Sequence, residues 1–218
     1  MDSWELNLPR RGEARLGARK PRAELVLSEE GSERKLSIPV TVAKRLKGIS
    51  EERPWVADSS RSLMEVEREL ERRCCSERAE ALLNRRDYST AEMRSKLLDD
   101  GFYAPIIDEY LRRASDVGLL DDARYADAFI RSKVASGWGE RKVSAALRVR
   151  GIDASGLDGW PYKYFDEDSE YERALEIASR KTFSERNRFS KVVRFVMGRG
   201  FSATVAYDVA HRICEDAE

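Results

Sequence analysis

A glycine that recurs three times at nearly equal spacing constrains the fold of this chain more than any other feature. Gly101, Gly151 and Gly200 are separated by 50 and 49 residues, and an apolar residue follows each of them. Apolar side chains also lie four and eight residues before each glycine, a spacing that places both on one helix face. These pairs are Met93 and Leu97, Val143 and Leu147, and Val192 and Val196. Three matches in one register indicate an internal repeat of about 50 residues.

Each repeat is predicted to contain three helices. The glycine ends the second helix, because a residue without a Cβ adopts positive φ at little cost. An amphipathic run precedes that helix in every copy, and a third run follows it in the first copy, opened by Pro105, and in the third, behind the Ser202 cap. The middle copy keeps only a shortened third run at 154–160. Ser89 and Glu92 have capping-box spacing, which supports a helix start there.

The segment before the repeats is predicted to be different in kind. Two apolar runs around a Glu-Gly-Ser turn indicate a small β-hairpin, with Pro39 restricting the second strand to a sheet edge. A short helix ending at Gly48, a polar linker and a charged helix over 61–75 are expected to follow. The predicted boundaries are 1–22 for a basic disordered tail, 23–75 for the hairpin, helices and linker, 76–118 for repeat 1, 119–160 for repeat 2, and 161–218 for a linker and repeat 3.

Composition excludes several classes of protein. The 218 residues carry 40 basic and 40 acidic side chains, so attraction to nucleic acid must come from local patches. No apolar run approaches the length of a membrane span and the amino terminus lacks a signal-peptide core, so a cytoplasmic protein without membrane association is expected. His211 is the single histidine, and the three cysteines show no CxxC spacing. We therefore expect no metal site and no disulfide framework, and hydrolase chemistry is not indicated.

The phrase "GLLDDARYA" at 118–126 joins the first two repeats. Gly118 is predicted to end the last helix of repeat 1, and Asp121 to cap the first helix of repeat 2. Asp122 then lies in the positive first turn of that helix. Capping accounts for both acids, since no cleft or partner for acid–base chemistry is visible.

Cations are concentrated in two segments of the repeats. Residues 131–150 hold six cations and one acid, and residues 180–199 hold seven cations and one acid. On a helical wheel Arg141 and Arg148 fall within about 20° of each other, opposite the apolar face. With Lys142 they are predicted to form an exposed ridge that binds a partner, the alternative being an ordinary solvated face.

Other candidate binding residues are ranked below this ridge. Arg124 and Arg131 project outward, but Asp127 is spaced to pair with both of them. Tyr125 and Phe129 are expected in the core, whereas Trp138, between two glycines, is predicted to be an exposed aromatic suited to single strands. The full predicted interface is Arg141, Lys142, Arg148, Arg124, Arg131, Lys133, Arg150, Trp138, Arg188 and Lys191.

The sequence resembles the RecX family, regulators of the bacterial RecA recombinase. The residues that carry the resemblance are Gly118, Leu120, Asp121, Asp122, Arg124, Tyr125, Ala126, Leu147, Gly151 and Ile152. The similarity is strong over 76–153 and keeps its register to 215. It implies an all-α, curved array of three-helix repeats that lies along a RecA filament on single-stranded DNA and restrains its ATP hydrolysis and strand exchange. It also implies no cofactor and no catalysis, and we expect a monomer.

Two other functions remain open at this point. A three-helix module with a basic helix is also typical of helix-turn-helix transcription regulators that bind duplex DNA. Linear repeats and a shortage of amide side chains on the second helices count against that class. A nuclease would need clustered carboxylates for metal, whereas the acidic pairs here fit helix ends.

Overall fold

The computed structural model describes residues 3–9, 20–29, 32–52 and 60–215. The chain divides into two compact units, one ending at Leu120 and the other beginning at Asp121. Unit 1 contains a small sheet and the first repeat, and unit 2 contains the second and third repeats. The described part of the chain is mainly helical, as the repeat pattern predicts.

Three antiparallel strands form the amino-terminal sheet. Strands β1 (Ser3–Asn7), β2 (Arg22–Glu29) and β3 (Ser32–Pro39) lie in the order β1-β2-β3. The predicted hairpin of β2 and β3 is confirmed, with Leu25 opposite Leu36, and β3 is an edge strand as Pro39 requires. Residues 30 and 31, between the two strands, lie outside the described residues.

The predicted disordered tail over 1–22 is wrong for residues 3–7. These residues form β1, which pairs with β2 so that Trp4 lies opposite Leu27 and Leu6 opposite Leu25. Trp4 and Leu6 alternate with polar residues and pack against the core beneath the sheet. Their period of two is a strand signal that the basic composition of the segment obscured. Residues 10–19 lie outside the described part.

Two helices of unit 1 are longer than predicted. Helix α1 (Val40–Glu52) continues through Gly48, which therefore does not end it. Helix α2 (Ser60–Leu83) is continuous where two separate runs were expected, and it crosses the predicted boundary at 75/76. Its 24 residues include no glycine or proline, so nothing in the backbone interrupts the helical hydrogen bonds. Most of the predicted polar linker, 53–59, lies outside the described residues.

Repeat 1 is completed by helices α3 (Thr90–Asp99) and α4 (Ala104–Asp116), which pack on the second half of α2. The capping box is confirmed: Ser89 Oγ accepts from the Glu92 backbone N–H, and the Glu92 carboxylate accepts from the Ser89 N–H. Pro105 stands in the first turn of α4. A capping box thus places the start of α3, and a first-turn proline that of α4.

Repeats 2 and 3 make up unit 2. Repeat 2 has α5 (Asp122–Ala135), α6 (Glu140–Val149) and a 3-10 turn at Ala154–Gly156, which is the shortened third helix. Repeat 3 has α7 (Glu167–Ser179), α8 (Arg188–Gly198) and α9 (Ala203–Glu215). Each repeat has its own apolar core.

The three-fold register of the repeats is confirmed. Gly101, Gly151 and Gly200 have φ of 92°, 75° and 96°, and each follows the C-cap residue of its helix. The six side chains before them are all 0% exposed, namely Met93, Leu97, Val143, Leu147, Val192 and Val196. The glycines stop the helices and the apolar pairs fill the cores.

Repeats 2 and 3 meet through backbone. The N–H groups of Gly139 and Arg141, at the start of α6, donate to the carbonyls of Arg199 and Gly200, at the end of α8, over 2.9 and 3.1 Å. The unpaired donors of one helix thus satisfy the unpaired acceptors of another, and opposite ends of two helix dipoles meet. This junction fixes α6, with its cations, against repeat 3.

Candidate functional site

Aromatic and cationic side chains alternate along one half-buried surface of repeat 2. We call this set the aromatic–cation row, and it consists of Tyr125, Phe129, Lys133, Trp138, Lys142 and Arg150. Helix α5 and the loop after it supply the three rings, while the cations come from both α5 and α6. All six side chains are partly exposed to solvent.

At one end of the row, a guanidinium lies over one of two stacked rings and bonds the hydroxyl of the other. The rings of Tyr125 and Phe129 are nearly parallel, with an interplanar angle of 12° and centroids 6.2 Å apart. Arg150 Cζ lies 4.5 Å from the Phe129 centroid, and Arg150 Nε donates to Tyr125 Oη over 3.2 Å. A second donor of Arg150 bonds the Ala146 carbonyl at 2.7 Å. This guanidinium is therefore held in one orientation at the surface.

At the other end, two lysines flank one indole. The ammonium nitrogens of Lys133 and Lys142 lie 5.2 Å and 4.4 Å from the ring centroid of Trp138. Lys133 is also 5.3 Å from Phe129, which links the two ends of the row. Lys142 Nζ lies 3.5 Å from the Gly198 carbonyl oxygen of repeat 3. In the described part of the chain, the contacts of these two lysines are therefore with aromatic rings and a carbonyl oxygen, and not with carboxylates.

The three aromatic residues of the row are all half-buried, which corrects one sequence-based prediction. Trp138 is half-buried against the repeat-2 core, so it is not the exposed aromatic that was expected. Tyr125 and Phe129 pack against the core as expected, but only half-buried, because Ala126 and Ile130 occupy the fully buried face of α5. Tyr125 and Phe129 have the same i, i+4 spacing as Ala126 and Ile130, so the spacing alone does not show which of the two adjacent stripes is fully buried.

The predicted ridge is found in two of its three members. Arg141 and Arg148 are exposed on α6, opposite Val143 and Leu147, and within the described part of the chain neither makes an ion pair. Lys142 points instead toward Trp138 and repeat 3. It therefore belongs to the row, which lies on the neighbouring face of α6. The ridge accordingly consists of Arg141 and Arg148 alone.

The remaining predicted cations differ in their ion pairs and hydrogen bonds. Arg131 is neutralised by Asp127 at 2.7 Å, and Lys163 and Tyr164 also contact this carboxylate. These partners, Arg131 first, lower the pKa of Asp127 well below its usual range. Arg124 is exposed in the first turn of α5. In repeat 3, Arg188 pairs with Glu185 at 3.3 Å and Lys191 bonds the Ser184 hydroxyl.

The two acids of the 118–126 phrase lie at the start of α5. Asp121 Oδ1 accepts the Arg124 backbone N–H at 2.9 Å, so this acid is the predicted helix cap, and Asp122 lies in the first turn. In the ranges that the structure describes, no three histidine, cysteine or acidic side chains cluster as metal ligands would. None of the helices described is both long and apolar enough to span a bilayer.

A half-buried arginine that the sequence did not point to joins repeats 2 and 3. Arg173 of α7 donates to the carbonyl oxygens of Val134 and Trp138 over 3.3 and 2.6 Å, and packs on Phe165 and Phe201. Burial lowers its pKa. By bonding the Trp138 carbonyl it positions the loop that carries the indole of the row. Nothing in the local sequence pattern distinguishes Arg173 from a surface arginine.

Comparison with known proteins supports the assignment of the repeats. The RecX first three-helix domain matches residues 75–113, and the RecX second three-helix domain matches residues 121–155. These segments contain α3 and most of α4, and α5 and α6 with the 3-10 turn. The second match contains the ridge and the whole row.

Whole-protein relatives agree with these matches. The chain is 31% identical over 133 residues to "Regulatory protein RecX" of Vibrio vulnificus, covering 59% of this chain and 85% of that protein. It is 32% identical over 140 residues to the protein of the same name from Mycolicibacterium vanbaalenii, covering 59% and 76%.

Solved structures share the fold. A crystal structure of regulatory protein RecX matches with a TM-score of 0.59 at 17% identity, covering 92% of this chain and 94% of that one. RecX from Lactobacillus salivarius matches with a TM-score of 0.54 at 22% identity, covering 67% and 96%. With its tandem three-helix domains, its relatives above 30% identity and this shared fold, the chain belongs to the RecX family.

Proposed function

We propose that this protein is a non-enzymatic regulator of the RecA recombinase, which binds as a monomer along the RecA–single-stranded DNA filament and restrains ATP hydrolysis and strand exchange. The observation that carries the proposal is the aromatic–cation row beside the ridge, on the repeat that matches the family's second domain. Family membership supports the regulatory role, since the relatives are named regulatory proteins.

The chemistry of the row suits a nucleic-acid backbone. Cations next to aromatic rings are typical of surfaces that follow single strands. Arg150, Lys133 and Lys142 are already held by rings and carbonyl oxygens, so contact with a phosphate would immobilise little further side-chain freedom. The ring faces are partly covered by these cations, which favours phosphate contact over base stacking. Such contacts position a protein without selecting a sequence.

The ridge offers two further cations on the neighbouring face of the same helix. Arg141 and Arg148 have no ion-pair partner among the described residues, so binding an anion would break no existing pair. A helix with cations on two faces can contact phosphates on one side and protein carboxylates on the other. A protein bound in this way would oppose the changes in the filament that accompany ATP hydrolysis and strand exchange.

The proposal is tested by adding the purified protein to RecA, single-stranded DNA and ATP, and following hydrolysis. We expect the wild type to slow hydrolysis, and Arg141→Glu with Arg148→Glu to abolish the effect at moderate salt while circular dichroism stays unchanged. The matched control reverses Lys96 and Arg112, two exposed cations of repeat 1. A wild type without effect on hydrolysis would refute the proposal, and a double variant that still restrains the filament would refute the role of the ridge. Selection of one specific duplex site from random DNA would instead favour a transcription regulator.

A further inference from the structure

Helix α8 carries two adjacent apolar stripes, one fully buried in the core of repeat 3 and one only partly buried. Val192 and Val196 are fully buried in that core. Phe189, Val193 and Met197, spaced by four residues, form a second stripe on the adjacent side. Met197 is 44% exposed. Phe189 and Val193 pack in part against the core of repeat 3, and the Phe189 ring also contacts His211, with ring centroids 4.9 Å apart. The exposed edge of the second stripe, toward Met197, is therefore the part that remains available for a partner.

This second stripe forms one wall of an open groove of about 590 Å³. Tyr207 of α9 forms the other wall; it is 51% exposed, and its ring meets the edge of Phe189 at 5.7 Å. The stripe runs about 12 Å along α8, which accommodates two turns of a docked helix. The lining consists of Phe189, Ser190, Val193, Arg194, Met197, Gly198 and Tyr207.

The charge around the groove selects an acidic partner. Helix α8 contains three cations and no carboxylate in its sequence. Arg194 lines the groove, is exposed, and makes no ion pair with any residue that the structure describes. It is therefore placed to pair with a carboxylate that flanks the apolar residues of an incoming segment.

The groove is also continuous with the aromatic–cation row. Gly198 lines the groove, and its carbonyl oxygen lies 3.5 Å from Lys142 Nζ, at the end of the row. The junction between repeats 2 and 3 holds these two surfaces together through the Gly139–Arg199 hydrogen bond. A partner that occupies the groove therefore lies beside whatever the row binds.

We propose that the α8–α9 groove binds an acidic, amphipathic helical segment on the surface of a recombinase subunit, while the row contacts the DNA of the same filament. This inference rests on the proposed function. In this arrangement the row of repeat 2 provides affinity for nucleic acid, and the groove of repeat 3 provides affinity for protein. Apolar contact in the groove would then select recombinase-coated DNA over bare DNA.

The test compares binding to a fluorescent oligo-dT alone and to RecA assembled on it with a non-hydrolysable ATP analogue. Met197→Glu with Tyr207→Glu places two charges in the groove at exposed positions, and Arg194→Glu alters only the charge. We expect each to weaken filament binding by about ten-fold or more, with affinity for bare oligo-dT unchanged. Met197→Leu should bind as the wild type does. The control is Val117→Glu, an apolar residue of repeat 1 that is 78% exposed.

The outcomes separate the two proposals. Groove variants that bind the filament like the wild type would overturn the groove assignment and leave the proposed function standing. An equal loss on bare oligo-dT would make the groove a nucleic-acid surface, which also overturns it. If the wild type binds oligo-dT but not the filament, the proposed function fails and the groove assignment fails with it.

Discussion

Gly139 and Gly200 lie so close that a Cβ added to Gly139 would be 2.6 Å from the Gly200 carbonyl carbon and oxygen. The two residues belong to different repeats, at the start of α6 and at the end of α8. Because there is no side chain between them, the Gly139 N–H reaches the Arg199 carbonyl and the Arg141 N–H reaches that of Gly200. Unit 2 therefore depends on a glycine whose φ, −87°, is ordinary for any residue.

Gly139→Ala should destabilise unit 2 by about 1 to 3 kcal/mol, since the new methyl group meets backbone that can move only if the junction opens. Chemical denaturation followed by circular dichroism measures the change. Gly198→Ala, where a Cβ meets nothing within 4 Å, is the matched control and should be neutral or slightly stabilising. Equal stability of the two variants would show that the repeats do not rely on this close approach.

Leu147→Ala should cost about 2 to 5 kcal/mol through the loss of packing around a side chain that is 0% exposed. Val149→Ala on the same helix removes a residue that is 84% exposed and should stay within about 0.5 kcal/mol of the wild type. Urea midpoints at constant slope give both values. A loss below about 0.5 kcal/mol for Leu147→Ala would contradict the assigned core face of α6.

A buried acid in unit 1 should make stability depend on pH. Glu67 is 7% exposed on α2; burial, and then the neighbouring Glu71, raise its pKa from 4.5 to about 7, while Arg68 and Arg22 oppose the shift. The pKa of Glu67 is higher in the folded protein than in the unfolded one. The contribution of Glu67 to the free energy of unfolding is therefore complete below pH 4.5 and is lost as pH rises through about 7. Over this pH range the free energy of unfolding of the wild type should fall by roughly 1 to 3 kcal/mol relative to that of Glu67→Gln.

Denaturation of the wild type and of Glu67→Gln between pH 5 and about 8 measures this difference as a change in slope with pH. Glu65→Gln, an exposed acid on the same helix, is the control and should follow the wild type. The assignment fails if Glu67→Gln has the same pH dependence as the wild type.

Neutralising the ridge should reduce the salt dependence of DNA binding. If Arg141 and Arg148 contact phosphates, Arg141→Gln with Arg148→Gln should flatten the plot of log affinity against log salt by about 1.4 on single strands. Fluorescence anisotropy on oligo-dT at several salt concentrations gives the slope. Lys96→Gln with Arg112→Gln should leave it unchanged. An unchanged slope for the ridge variant would assign the ridge to protein carboxylates, in which case charge reversal should slow association with the filament.

Features that depend on a few neighbouring residues were predictable from the sequence. The Ser89 capping box, the Asp121 cap and the positive φ of Gly101 each follow from residues within one helical turn. The three-fold register added the core positions, because a period of 3.6 residues assigns each side chain to a face. Arg141 and Arg148 were placed correctly for the same reason.

Features that join distant residues were decided by the tertiary structure. Strand β1 forms because Trp4 and Leu6 find partners on β2 about 20 residues away. Lys142 does not belong to the predicted ridge, because its ammonium group lies beside the Trp138 ring and the Gly198 carbonyl oxygen of repeat 3. Gly198 is 56 residues from Lys142 along the chain. The groove exists because α9 sets Tyr207 against the second stripe of α8. The sequence by itself determined the repeats, their helix ends and their cores, since helix formation and capping are local. Only tertiary packing, within each repeat and between repeats 2 and 3, determined where the row, the Arg173 contacts and the groove lie, because these contacts join residues of different helices that no local period relates.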